Sequence, residues 1–260
     1  MYIIKAQGVE MKKILFVLGL SIVFFSSWYL FKHGKKTNSN DVIIVGTNAE
    51  YPPFSFVKND TIVGFDIDII SEICKRLGKK IIIKDMPFDV LIPEIQRGSI
   101  NLIAAGMTPT EERAKEVIFT QCYFVGDPLV IISPSNKSLT KIDQLFGKEV
   151  IVNEGYTADF YMTSFKEIKL KRLQTPAAAF LALDAGRADA YVVARSTVSS
   201  FFKQYGNEKF IVTSIPNTEE KYAIAVSPCN SDLLPKLNNI LDDMKKDGTL
   251  DQLKQKWGLN

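Results

Sequence analysis

Residues 42–257 predict an α/β protein built from mainly parallel sheets flanked by helices. Three observations carry that expectation. Short apolar runs of strand length alternate with segments of helical spacing. The helical segments are punctuated by capping residues at their starts and glycines at their ends. The 260-residue composition, 46% hydrophobic and 23% charged, is that of an ordinary globular chain.

The elements follow in order. Val42–Gly46 is an apolar run suited to a buried strand. Apolar residues at 69, 70, 73, 74 and 77 define a helix, with Asp66 expected at its N-cap and Gly78 just past its end. Lys80–Lys84 is a strand, Asp89–Arg97 a helix closed by Gly98, and Ile100–Ala104 a further strand. Thr110 caps the next helix. Val130–Ser133 and Glu149–Val152 continue the strands. Thr175-Pro176 opens the helix Ala177–Ala185, which Gly186 ends, and Asp189–Val193 follows as a strand. Leu233–Lys246 and Thr249–Trp257 form a helical tail.

Residues 1–40 differ in character. Their six lysines against Glu10 give +5, which leaves −2 for the rest of a chain whose total is +3. The near-neutral remainder lacks the basic surface that a nucleic-acid backbone demands. Ile14–Phe31 is an 18-residue run without a charge, close to the ~20 residues of a membrane span and longer than the ~7–15 of a secretory signal core. An uncleaved anchor is the expectation, with a cleaved signal as the alternative. Met11 offers a second start, and Thr37–Asn40 is a short polar linker. Lysines on both sides of the run leave its orientation tied.

Metal and nucleophilic chemistry find little material here. Cys74, Cys122 and Cys229 are far apart and odd in number, and His33 is the single histidine. No metal, cofactor or catalytic residue is expected.

Four stretches stand out when taken together. They are GTNAEYPPFSF (46–56) with IVGFDIDI (62–69), FDVLIPEIQ (88–96), AAGMTPTEERAK (104–115), and QLFGKEVIVNEGYT (144–157) followed by AGRADAYVV (185–193). Arg113, one turn into a helix, has a planar guanidinium that grips a carboxylate with two parallel hydrogen bonds. Gly106 lets a ligand approach the backbone, and Ala105, Gly106 and the Thr108 hydroxyl offer polar groups for a zwitterion. In order and spacing these stretches resemble the family-3 periplasmic solute-binding proteins of polar amino-acid ABC importers.

That resemblance implies a type II, two-lobe clamp that closes on a small polar amino acid and presents it to a membrane permease outside the cytoplasm, as a monomer. Lobe 1 would comprise 42–124 plus 222–260 and lobe 2 132–213, with hinges near 125–131 and 214–221. It implies that Tyr51 and Phe88 sandwich the ligand and that Asn48 tunes specificity. Gly155-Tyr156-Thr157 would form a helix-start turn that meets a carboxylate, with Tyr156 in place of a small residue. The family's ammonium-binding Asp falls on Ala194 here, so Glu154, Asp159 or Thr108 with backbone carbonyls must compensate, or the ligand lacks an α-ammonium. Two other readings stand beside this one: a ligand-sensing ectodomain with a separate partner, and a cyclic-carboxylate dehydratase on the same fold.

Overall fold

The computed structural model describes residues 41–206 and 208–259. The apolar run 14–31 lies outside them. Among the described residues no helix is long and apolar enough to cross a membrane.

The chain runs β1 (Val42–Thr47), β2 (Glu50–Tyr51), β3 (Ser55–Lys58), β4 (Thr61–Val63), α1 (Phe65–Arg76), β5 (Lys80–Asp85), α2 (Leu91–Gln96) and β6 (Leu102–Ile103). Then come α3 (Glu111–Ala114), β7 (Ile118–Phe119), β8 (Phe124–Pro134), β9 (Glu149–Asn153), α4 (Thr157–Thr163), β10 (Lys169–Leu173) and α5 (Pro176–Asp184). It finishes with β11 (Ala190–Ala194), α6 (Arg195–Tyr205), β12 (Phe210–Tyr222), β13 (Ala225–Val226), α7 (Leu234–Lys246) and α8 (Thr249–Trp257).

Two five-stranded sheets result, in the orders β5-β1-β6-β13-β7 and β10-β9-β11-β8-β12. They make a two-lobed α/β fold. In the first, β1 is parallel to both β5 and β6, as expected of buried strands such as VIIVG. In the second, β9 is parallel to β10 and β11. The sheets are less uniformly parallel than the alternation implies. β8 and β12 pair antiparallel with each other, and β8 and β13 pair antiparallel with their sheet neighbours. The reason is topological. The chain leaves the first sheet after β7, runs into the second as β8, and returns from β12 to β13.

Those two crossings are the longest strands, of 11 and 13 residues. Their ladder breaks register between Ser214 and Glu219. Asp127 and Asn217, one on each strand, both have φ of 60°. That left-handed region suits Asp and Asn better than other non-glycine residues. A continuous apolar core reaches from Val45 and Ile70 in the first lobe to Val150 and Val192 in the second. Separate clusters under α5 and under α2 cover the outer sheet faces.

Local signals hold in several places. Thr110 and Thr175 accept from the backbone N–H three residues on. Gly78, at φ 65°, follows the Leu77 cap of α1. Asp66 departs from its expected place. Helix α1 begins two residues earlier with Gly64 as N-cap, so Asp66 lies inside its first turn and is buried. The three-stranded sheet β2-β3-β4 has no counterpart in the sequence reading.

Candidate functional site

The ends of β1, β5 and β6 in the first sheet and of β9 and β11 in the second face each other across a cleft. Asn48, Tyr51, Phe88, Ala105, Gly106, Leu129, Tyr156, Thr157, Ala158, Ala194 and Glu220 line a small cavity there. Seven of the nine ligand-binding residues expected from the sequence are among them, and Arg113 and Thr108 stand beside it.

The loop after β6 approaches from the first lobe. Gly106 has φ of 56°, and a Cβ on it would lie 2.7 and 2.9 Å from ring atoms of Tyr51. Only glycine lets the loop press against the aromatic ring here. The Gly106 N–H donates to Asp66 Oδ2 at 2.5 Å, and the Tyr123 hydroxyl donates to Asp66 Oδ1 at 2.7 Å. Asp66 therefore fastens the loop from below instead of capping a helix. Burial raises its pKa to about 6 against those two hydrogen bonds.

Arg113 is only 3% exposed. Its guanidinium donates to the Thr108 carbonyl at 2.7 Å and, across the cleft, to the Gly155 carbonyl at 2.8 Å. Phe88 and Phe160 carry their rings 5.1 and 5.6 Å from it. Burial brings its pKa down to about 10, opposed by the charges of Glu220 and Glu112, so it stays cationic at neutral pH. Among the described residues its hydrogen bonds go to neutral carbonyls and to no carboxylate. The Thr108 Oγ1 is buried without a hydrogen-bond partner. An orphaned hydroxyl beside a buried cation is a polar corner ready for an anion.

The second lobe supplies Tyr156. Its hydroxyl donates to Asn48 Oδ1 at 2.9 Å, and its ring sits 4.7 Å from that of Phe88. The cavity measures about 20 Å³, room for roughly one water molecule. Small-molecule pockets usually run to about 300–1,000 Å³. The contacts that hold the two walls together here are Tyr156–Asn48 and Arg113–Gly155.

Neither expected ammonium partner faces the cavity. Glu154 is exposed. Asp159 is buried but engaged, 2.9 Å from Arg172 and accepting from the Gly155 N–H at 3.2 Å. The crossing strands supply acids that the sequence reading missed. Asp127 Oδ2 accepts from the hydroxyls of Tyr51, Tyr222 and Ser196 at 2.8, 2.7 and 2.6 Å, and Oδ1 from the Ser196 N–H at 2.7 Å. Glu220 lines the cavity itself and is 6% exposed. Burial first, then the charge of Asp127, raises its pKa to about 7; Tyr222, Thr157 and Arg113 pull the other way.

A larger hollow of about 710 Å³ is walled by Phe180, Leu181, Phe201 and Phe210 of the second lobe together with Glu50 and Pro52 of the first. Its lining includes none of the ligand-binding residues expected from the sequence, whereas the cleft holds seven of them, so the cleft is the better candidate. Among the described residues no group of His, Cys, Asp and Glu is placed to hold a metal.

An arginine-binding protein of an ABC transporter from Escherichia coli K12 is 33% identical over 219 residues, covering 82% of this chain and 88% of that one. An ancestral arginine-binding protein solved with arginine is 38% identical with a TM-score of 0.78, covering 84% of this chain and 98% of the other. An ancestral arginine-binding protein solved with glutamine gives 38% and 0.79, covering 85% and 99%. The sequence profile of the bacterial extracellular solute-binding proteins, family 3, matches residues 43–260, and the chain belongs to that family.

Proposed function

We propose that this protein captures an α-amino acid with a cationic or amide side chain outside the cytoplasm and delivers it to an ABC-type permease, without acting on it chemically. The observation that carries this reading is Arg113. It is a buried cation at the mouth of both walls, bonded only to carbonyls, beside the unpartnered Thr108 hydroxyl. A ligand carboxylate replaces those carbonyls with charge-assisted bonds. Tyr51 and Phe88 flank the ligand, Asn48 reads its side chain, and Ala105, Gly106, Tyr156 and Thr157 complete the enclosure. The relatives solved with arginine and with glutamine support this ligand class.

The same reading assigns lobe 1 to 42–124 with 222–260, lobe 2 to 132–213, and the hinges to 125–131 and 214–221. The left-handed residues Asp127 and Asn217 and the register break lie in those hinge segments, which supports bending there. In this reading residues 14–31 serve as an uncleaved membrane anchor or, alternatively, as a cleaved signal. Calorimetric titration of the full-length chain with the twenty amino acids tests the proposal. Micromolar or tighter binding of arginine or glutamine, lost in Arg113→Ala, is expected. Silence of the wild type toward all twenty overturns it.

A further inference from the structure

Position 194, which closes β11 beside the cavity, carries only a methyl group. Its backbone pairs with Leu129 on β8, and a little further along β8 Gly126 pairs with Glu220 on β12. Ala194, Leu129 and Glu220 thus lie on three adjacent strands of one sheet and line one cavity. The sole carboxylate in that lining belongs to Glu220. It is buried beside the Tyr222 and Thr157 hydroxyls, and the acidic group nearest in influence, Asp127, is surrounded by hydroxyl and amide donors. Arg113 and Glu220 feel each other's charge without making a hydrogen bond to one another. The cleft therefore offers one ligand a cation, Arg113 at its edge against Gly155, and an acid, Glu220 in its lining. The head group of an α-amino acid has the complementary arrangement, a carboxylate and an ammonium on one carbon.

We infer that Glu220 is the counter-ion of the ligand's α-ammonium, a specificity-determining residue that takes the part Ala194 cannot. The inference rests on the amino-acid reading above and deepens it. An unpaired ammonium in so buried a place is costly, and a carboxylate facing it removes the cost. Glu220 also explains why a chain with alanine at 194 still suits an amino acid: the acid is supplied by a neighbouring strand.

The test compares L-arginine with 5-guanidinopentanoate, the same molecule without its α-ammonium. The full-length wild type binds L-arginine more tightly than the analogue. Glu220→Gln weakens L-arginine by about 10–100-fold, the range for losing a hydrogen bond to a charged group. It leaves the analogue's affinity unchanged, which also reports that the variant is folded. Ala194→Asp combined with Glu220→Gln restores most of the preference, because an acid at 194 enters the same cavity. Should Glu220→Gln fail to fold, the wild type decides the matter: a preference for L-arginine over the analogue that shrinks as pH falls below about 7 supports the inference, and no preference, or one that pH leaves unchanged, overturns it. Unchanged arginine binding by folded Glu220→Gln overturns the counter-ion assignment and leaves the receptor reading standing. Silence of the wild type toward arginine, glutamine and the other amino acids removes both.

Discussion

The cleft is built from two regions of different kinds. One is the wall at the strand ends of the first lobe, Asn48, Tyr51, Phe88 and the loop from Ala105 to Arg113. The other is the pair of crossing strands, which bring Asp127, Glu220 and Tyr222 to the same place. The wall is local in sequence. Arg113 reaches the Thr108 carbonyl five residues away, and Thr110 caps the helix between them. The crossing strands are assembled from afar: the Tyr51 hydroxyl meets Asp127 across 76 positions and Tyr222 across 171. The wall holds unsatisfied groups, the buried Arg113 cation and the orphaned Thr108 hydroxyl. Asp127 on the crossing strands is fully engaged. On the proposed function the wall is the part that meets a ligand, whereas Asp127 belongs to the fabric of the fold. Glu220 sits on the structural region yet faces the ligand region.

This division predicts that wall substitutions cost affinity and spare stability. Arg113→Ala gives the largest effect, a loss of about 4 kcal/mol or 1,000-fold in arginine affinity from two charge-assisted bonds, with little change in melting temperature. Calorimetry and thermal melts on the same samples check it. Comparable losses in both would dissolve the distinction. Asp127→Ala is the converse. Four donors lose their acceptor, at a cost of about 3 kcal/mol in stability, seen as a fall of about 6–12 °C in Tm. An unshifted melt would show that the crossing strands do not depend on this cluster.

A pH series sharpens the place of Glu220. The groups facing it are Asp127, Arg113, Tyr51, Tyr156 and Tyr222. Burial raises the pKa of all three tyrosines, so they remain neutral near pH 7. Between the ordinary carboxyl value of 4.5 and about 7, the folded protein holds more proton on Glu220 than the unfolded chain does. Its contribution to stability is thus greatest at acid pH and is lost as pH rises through that window. An arriving ammonium expels the proton, so arginine affinity rises between pH 5 and 7, by at most about tenfold per unit, and levels off above. The slope vanishes in Glu220→Gln. A rising slope that persists there would place the titrating group elsewhere, with Asp66 at about 6 the next to examine.

The smallest effect belongs to Thr108→Val. The substitution keeps the shape and deletes the unpartnered hydroxyl. Affinity falls by about fivefold, roughly 1 kcal/mol, and stability holds or rises slightly, because a buried polar group without a partner is removed. A clear loss of stability would mean that the hydroxyl serves the fold.

The same two regions explain what the sequence revealed. The wall was legible because its residues obey local rules: a glycine where a loop must pass under a ring, a threonine cap, and an arginine one turn into a helix. The crossing strands were visible only as approximate hinge segments. Glu220 lies beside Glu219 in a polar stretch, and nothing within a few residues marks it as inward-facing. The one available signal was phase. Glu220 and Tyr222 are buried while Glu219 and Lys221 are exposed, so the acid shares the tyrosine's face of the strand. Asp66 was misread for a related reason. Its residue type and position fit a helix cap, but its partners, Gly106 and Tyr123, are 40 and 57 residues away. Glu154 and Asp159 were plausible ammonium partners by proximity to Gly155-Tyr156-Thr157. Arg172, arriving on β10, claims Asp159 and could not be foreseen locally.

The most direct test of the two-region clamp is the crystal structure of the full-length protein grown with L-arginine. The account predicts the ligand carboxylate paired to Arg113, whose bond to the Gly155 carbonyl has been exchanged for it. It also predicts the α-ammonium within hydrogen-bonding distance of Glu220, and Tyr156 withdrawn from Asn48. Arginine bound outside the cleft, with Arg113 still spanning the Thr108 and Gly155 carbonyls, would contradict it.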